Sequence, residues 1–181
     1  MSTLRVVFAA DKIRERVAEV AQQIADDYRD KELVLVGILK GVAFLVADLA
    51  RLLPRPVDFE FVDVQASPGE RGEVVSLTYA THFNVRDRHV LIVKDVLHSG
   101  VTENYLITHL SQQKPASMEI LAFVDKPQLR SVNVSARYAI FSDVPEGYLV
   151  GYGLGMGQTR ESNLPDLCLA EDAPGGEQAA P

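Results

Sequence analysis

The sequence has a single cysteine, and this scarcity excludes two common kinds of scaffold. Among 181 residues only Cys168 is a cysteine, so one chain can form neither an internal disulfide nor a cysteine-based zinc site. We therefore interpret Cys168 as a small buried apolar residue. The histidines are also few, and none has the H-E-x-x-H spacing or another metal-binding spacing. They are His82, His89, His98 and His109.

The sequence also lacks an excess of basic residues and any long apolar run. Its formal net charge of −7 argues against a general nucleic-acid binder and gives no support for an anionic membrane surface as partner. No apolar run approaches the ~20 residues that a membrane span needs. The N-terminus shows no basic segment followed by an apolar one, so we expect no secretory signal and a cytoplasmic location.

The length and composition fit one soluble domain with a sizeable core. We expect this domain to span residues 1–170. Residues 171–181 are rich in Gly, Ala, Pro and Glu and have no periodicity, which predicts a disordered tail.

The chain is organised around the stretch VLIVKDVLHSGVTENYL, residues 90–106. Four apolar residues predict a central strand that is covered on both faces. A turn with Ser99, Gly100 and Thr102 follows, and then a helix is predicted over 103–110. A turn of this kind at a helix N-terminus offers backbone N–H groups to an anion. Two interpretations stay open from this stretch alone, a phosphate cradle and an ordinary turn capped by a hydroxyl.

Alternating strand and helix patterns fill the rest of the chain. Apolar residues recur on one helical face through residues 11–28, and a second helix is predicted over 42–53. We expect a polar loop over 65–72 and one arm of a hairpin or flap over 73–79. Further strands are predicted over 32–38, 57–64, 118–124, 137–141 and 148–154. This order predicts an α/β fold with a mostly parallel central sheet flanked by helices.

Polar residues follow three of the predicted strands, at Lys40, at residues 94–102 and at Lys126. Because ligands of open parallel sheets sit outside the carboxyl ends of the strands, we expect these turns to meet at one edge. Their convergence predicts a site for a small molecule that contains phosphate.

Four segments in this order resemble the type I phosphoribosyltransferases, and most closely their hypoxanthine-guanine branch. The segments are GILKGVAFLVADLARLL, RHVLIVKDVLHSGVT, KPASMEILAFVDKP and PEGYLVGYGLG, and the tripeptide NLP follows them. The resemblance covers nearly the whole chain apart from the tail. It implies that family's fold, with a small hood and a flexible flap beside the central sheet.

The resemblance also implies roles for individual residues. The purine would be bound by Lys126, which donates to its 6-oxygen, by the ring of Tyr148 and by the backbone of Leu149. The pyrophosphate would be bound by the loop Leu39, Lys40 and Gly41, where the family often has a non-proline cis peptide, and by Arg160. The ribose would be bound by Asp95, with Lys94 beside it. The loop for the 5′-phosphate comprises His98, Ser99, Gly100, Val101 and Thr102.

The sequence departs from the family pattern at three acidic positions. The family motif Glu-Asp-Ile-Ile-Asp-Thr/Ser-Gly-x-Thr has Lys94 in place of its first acid and His98 in place of the aspartate that acts as general base. Gly155 stands where the family has an aspartate that helps to hold magnesium and pyrophosphate. The family uses Mg²⁺, but these departures leave Asp95 as a weak candidate ligand.

The resemblance implies a protein of purine salvage that converts phosphoribosyl pyrophosphate (PRPP) and hypoxanthine or guanine into IMP or GMP and pyrophosphate. The lost acids predict weak or lost activity, with His98 as the substitute base. A non-catalytic sensor or partner protein that binds purine nucleotides, and a decayed paralogue without a specific ligand, stay open. We expect PRPP, purine base or purine nucleotide as partners, neither nucleic acid nor membrane, and a homodimer or homotetramer.

Overall fold

A six-stranded sheet forms the centre of the computed structural model, which describes residues 3–69, 72–79, 83–155 and 161–171. The sheet order is β4-β3-β2-β5-β6-β7, in which β4 is antiparallel to β3 and the other neighbours are parallel. Three α-helices, α1 (Ala10–Asp27), α2 (Ala43–Leu52) and α3 (Val101–Ser111), lie in the described ranges. The strands of this sheet are β2 (Leu33–Ile38), β3 (Asp58–Gly69), β4 (Gly72–Tyr79), β5 (His89–Leu97), β6 (Ser117–Asp125) and β7 (Tyr138–Phe141).

Alternate residues of the central strands pack into two separate cores, one on each face of the sheet. Leu35, Leu91 and Phe123 pack on the face that α1 and α2 cover. Ile92, one position from Leu91, belongs to the other core, which includes Leu106 of α3. Because both faces are covered, β2 and β5 read as continuous apolar runs, as the sequence predicted for the centre of the sheet. The prediction of a mostly parallel sheet flanked by helices is thus confirmed.

A second, antiparallel sheet stands beside the central one, in the order β1 (Leu4–Phe8), β9 (Leu167–Ala170) and β8 (Tyr148–Val150). It is the structural counterpart of the hood that the resemblance implied. Cys168 lies in β9 and is buried, so its interpretation as a small buried residue is confirmed.

Three details of the chain differ from the sequence predictions. The loop predicted over 65–72 is wrong, because β3 continues to Gly69 and pairs with β4 down to Gly72. The strand predicted over 148–154 is shorter and lies in the second sheet, and the pairing segment β9 was not predicted. Hydrogen bonds between paired strands decide each of these cases, and local composition does not predict this pairing.

None of the helices in the described ranges is long and apolar enough to cross a membrane. The amide of Glu171 donates to the carbonyl of Thr3 at 3.0 Å, next to the pairing of β1 with β9. Residues 172–181 lie outside the described residues, so the disordered tail stays a prediction.

Truncation of Phe123 tests the core that supports the carboxyl edge of the sheet. Its ring is buried and lies 4.9 Å from the ring of Tyr152 and 5.7 Å from that of Phe141. We expect Phe123→Ala to lower the free energy of unfolding in urea by about 3–5 kcal/mol, because a large cavity remains. The control is Phe59→Ala, since Phe59 is 53% exposed. Equal losses for the two variants would contradict this packing.

Candidate functional site

Three loops meet at the carboxyl ends of β2, β5 and β6, as the sequence predicted. Gly41 follows β2, and a β-carbon added to it would lie 2.1 Å from Oδ2 of Asp95 in β5. The amide of Lys126, which follows β6, donates to the carbonyl of Leu97 at 2.9 Å. The first and third loops therefore both contact the carboxyl end of β5, which lies between them.

The first loop approaches Asp95 so closely that only glycine fits. The peptide between Leu39 and Lys40 is cis, as the resemblance implied for this position. The side chain of Lys40 is exposed, whereas Gly41 is buried. Gly153, which has φ +96°, packs on the other side, and a β-carbon there would lie 2.4 Å from the carbonyl oxygen of Gly41. Residues 151–155 thus belong to the same edge.

The second loop joins β5 to the N-terminus of α3. Gly100 has φ +79°, a left-handed conformation that favours glycine, and an added β-carbon would lie 2.2 Å from a methyl group of Val134. The hydroxyl oxygen of Ser99 accepts from the amide of Val101 at 3.4 Å. Helix α3 begins at Val101, two residues earlier than predicted, so the loop residues stand at the positive end of the helix dipole.

The side chain of Arg130 holds the second and third loops together, a role that the sequence did not predict. Its Nη1 donates to the carbonyls of Leu97 and His98 at 2.7 Å each, and to that of Lys126 at 3.2 Å. Its Nη2 donates to the carboxylate of Asp125. A planar guanidinium with several fixed donors suits this bridging role better than an ammonium group does.

His98 is half-buried among cations. Burial, together with the positive charges of Lys126, Lys94 and Arg130, lowers the pKa of His98 below its ordinary value, although Asp95 opposes the shift. The imidazole is therefore neutral at neutral pH and can accept a proton. It cannot supply the negative charge that a carboxylate would supply at this position.

Lys94 is buried and is balanced by two carboxylates. Its Nζ lies 3.3 Å from Oδ1 of Asp95 and 3.7 Å from Oε1 of Glu103 in α3. Burial opposes its charge, but the two carboxylates outweigh this effect and raise the pKa of Lys94. Burial raises the pKa of Glu103, against the attraction of Lys94. Glu103 was not predicted as part of the site.

The residues predicted to bind the purine lie in two places. Lys126 is 7% exposed and lies close enough to His98 to affect its pKa. The ring of Tyr148 packs with Val150 and Cys168 in the small sheet, and burial raises the pKa of its hydroxyl. The side chain of Leu149 points into the main core. Because β8 is an edge strand of the small sheet among the described residues, one side of its backbone faces away from β9.

The residues predicted to bind pyrophosphate are only partly described. Gly155 lies two residues after Gly153, which packs against the first loop, and has φ +86°, so an aspartate there would adopt a strained backbone conformation. Arg160 lies outside the described residues, and its role stays a prediction.

The described side chains do not fit a bound Mg²⁺ ion. In the described ranges no three His, Cys, Asp or Glu side chains are grouped so that they could hold a metal ion. Oδ1 of Asp95 accepts from the amide of Val96 at 2.8 Å and faces Lys94, while Oδ2 lies against Gly41. The carboxylate of Glu103 also faces Lys94, and that of Asp125 accepts from Arg130.

The fold and this edge together define an α/β domain whose polar loops gather at the carboxyl end of a parallel sheet. The phosphoribosyl transferase domain matches residues 7–153 of the chain. The chain therefore belongs to the phosphoribosyl transferase domain family.

Individual relatives agree with this assignment. The hypoxanthine-guanine phosphoribosyltransferase of Mycobacterium avium is 37% identical over 157 residues, which are 82% of this chain and 77% of the relative. A crystal structure of such an enzyme from Bacillus anthracis is similar with a TM-score of 0.84 and 29% identity, over 94% of this chain and 99% of the other.

A third relative bears on assembly. A structure of Trypanosoma cruzi hypoxanthine phosphoribosyl transferase, 34% identical, has a TM-score of 0.82 over 92% of this chain and 90% of that one. It was studied for the role of its C-terminal region in oligomeric state and enzymatic activity.

Replacement of Arg130 tests its bridging role. We expect Arg130→Met to lower the free energy of unfolding in urea by about 3–5 kcal/mol, because Asp125 is left as a largely buried, unpaired charge. The amide of Ser131, which donates to the carbonyl of Ser99 at 3.0 Å, should also exchange faster with solvent. Arg137→Met is the control. Its ion pair with Asp27 is nearly half exposed, so we expect a loss of about 1 kcal/mol or less. A loss that small for Arg130→Met would contradict the bridging role.

Proposed function

We propose that this protein is a phosphoribosyltransferase of purine salvage that binds PRPP and a 6-oxopurine, hypoxanthine or guanine, and transfers the phosphoribosyl group slowly. The observation that carries the proposal is the combination of groups around His98. The phosphate loop keeps its glycine, its hydroxyls and its helix N-terminus, while the base position has lost its carboxylate. Ligand binding and slow transfer are the combination that this arrangement favours.

Contacts on the product side support binding. The backbone and hydroxyls of residues 98–102 suit a 5′-phosphate dianion at the start of α3. The cations Lys94, Lys126 and Arg130 surround this loop and favour an anion there. Lys126 follows β6 at the same edge, where its ammonium group would donate to a purine 6-oxygen.

The proposed reaction uses His98 as the base. The bond from the anomeric carbon to pyrophosphate breaks, and the pyrophosphate leaves with the electron pair, while a purine nitrogen forms a bond to that carbon. The purine proton passes to the neutral imidazole of His98. The cationic transition state at the ribose gains no stabilisation from His98, because a neutral imidazole carries no negative charge. This lack is the physical reason for slow transfer.

A second candidate function is a non-catalytic protein that binds purine nucleotides as a sensor or partner. The ion pair of Lys94 with Glu103 favours it, because Lys94 stands where the related enzymes have an acid, and binding of a nucleotide 5′-phosphate does not need that acid. For either function we propose a cytoplasmic homodimer or homotetramer.

Two measurements on the purified protein distinguish these functions. One is steady-state turnover of PRPP with hypoxanthine, guanine and xanthine, and the other is binding of GMP and IMP by calorimetry. Slow turnover with tight nucleotide binding supports the proposal. Binding without turnover supports the sensor, and the absence of both contradicts each of them.

Substitution of His98 tests the cause of slow transfer. Since a general base contributes about 10²–10⁴-fold and His98 keeps part of this, we expect His98→Asp to raise kcat at least about tenfold. The three cations around the position stabilise the new carboxylate. The matched control is His98→Asn, which has a similar shape but no base and should lie at or below the parent. Both variants must bind GMP, and an aspartate variant no faster than the asparagine variant would contradict the proposal.

The protonation of His98 can be followed directly by NMR. Because burial and the neighbouring cations disfavour the imidazolium, its titration midpoint should lie below 6.5. The imidazole therefore remains mostly neutral as the pH falls to 6.5, and it becomes protonated only at lower pH. The resonance is assigned by its absence from His98→Asn. A midpoint at or above 6.5 would mean that anions dominate the surroundings of this residue.

A further inference from the structure

Two buried side chains of opposite charge, Lys94 and Glu103, lie next to the phosphate loop. Lys94 is 8% exposed and Glu103 is 2% exposed, and the two are on different elements, β5 and α3. Oε1 of Glu103 is buried and makes no hydrogen bond to any group in the described part of the chain, but Nζ of Lys94 lies 3.7 Å from it. A buried carboxylate without a cation is costly, so the fold requires Lys94 at this place.

The same ammonium group also serves Asp95. Its Nζ lies 3.3 Å from Oδ1, which already accepts from the amide of Val96, and Oδ2 is covered by the backbone of Gly41. Asp95 is thus oriented and neutralised by groups of the chain itself. A divalent ion bound at this carboxylate would have to displace the ammonium group, which Glu103 holds from the opposite side.

We propose that Lys94 is a fixed cation that takes the place of a divalent metal ion beside Asp95, and that Glu103 is the positioning residue that holds it there. Phosphoribosyl ligands then bind without a metal ion. This inference rests on the proposed function only in that the site takes a phosphoribosyl ligand.

Calorimetry with PRPP as the probe tests this inference on the parent protein. We expect the Kd for PRPP in EDTA to agree with that in Mg²⁺ to within about threefold. An affinity at least about tenfold higher with Mg²⁺ would overturn the inference. GMP is measured in parallel. If neither GMP nor PRPP binds, the proposed function fails, whereas PRPP binding that depends on Mg²⁺ overturns the fixed cation alone.

A double variant, Lys94→Met with Glu103→Leu, removes the cation and its partner together. Apolar residues of similar volume commonly replace a buried ion pair without loss of folding, so the variant should stay folded. Asp95 then lacks a counter-ion and repels the anionic ligand. We expect the affinity for PRPP in EDTA to fall at least about tenfold and to recover in part when Mg²⁺ is added.

The matched control makes the same chemical change in an exposed ion pair. Nζ of Lys12 lies 2.7 Å from Oε2 of Glu15 on the surface of α1, and both side chains are about half exposed. Lys12→Met with Glu15→Leu should bind PRPP as the parent does. If the Lys94 and Glu103 variant binds GMP and also keeps its full affinity for PRPP in EDTA, Lys94 is not the cation of the site.

Discussion

The burial of the central sheet on both faces is the constraint on which the rest of this structure depends. A strand such as β5 between two cores has no room for a polar side chain until it nears its carboxyl end. The middles of β2, β5 and β6 therefore carry only apolar residues, and the charged groups of the site lie near the carboxyl end of β5 and in the loops after β2 and β6. The site is located where it is because the fold excludes charge from the middles of these strands.

A charged side chain within a buried strand needs opposite charges close to it, and Lys94 is an example. It occupies a buried position of β5, and it stays charged because Asp95 and Glu103 face it. The surroundings of the phosphate loop then carry three cations, Lys94, Lys126 and Arg130, of which Arg130 also fixes the backbone of the loop. Such an edge favours a bound phosphate and disfavours a positive charge that develops on the ribose.

Much of the fold could be predicted from the sequence, because apolar periodicity and turn residues are local signals. The strands β2, β5 and β6, helix α1 and the convergence of three loops follow from such signals. Contacts between distant segments could not be predicted in this way. The pairing of β8 with β9, and the hydrogen bonds from Arg130 to the carbonyls of Leu97 and His98, depend on residues far apart in the chain.

Glu103 was not predicted as part of the site, although its position in the sequence indicates that it is buried. It precedes Leu106 and Leu110 by three and seven positions, so it lies on the buried face of α3. A carboxylate on such a face needs a cation, and Lys94 is the residue that lies opposite. The positive charge of Lys94 is thus tied to the carboxylate of Glu103. A carboxylate placed at position 94 alone would face Asp95 and Glu103 with no cation between them, so the packing of α3 favours a cation at this position.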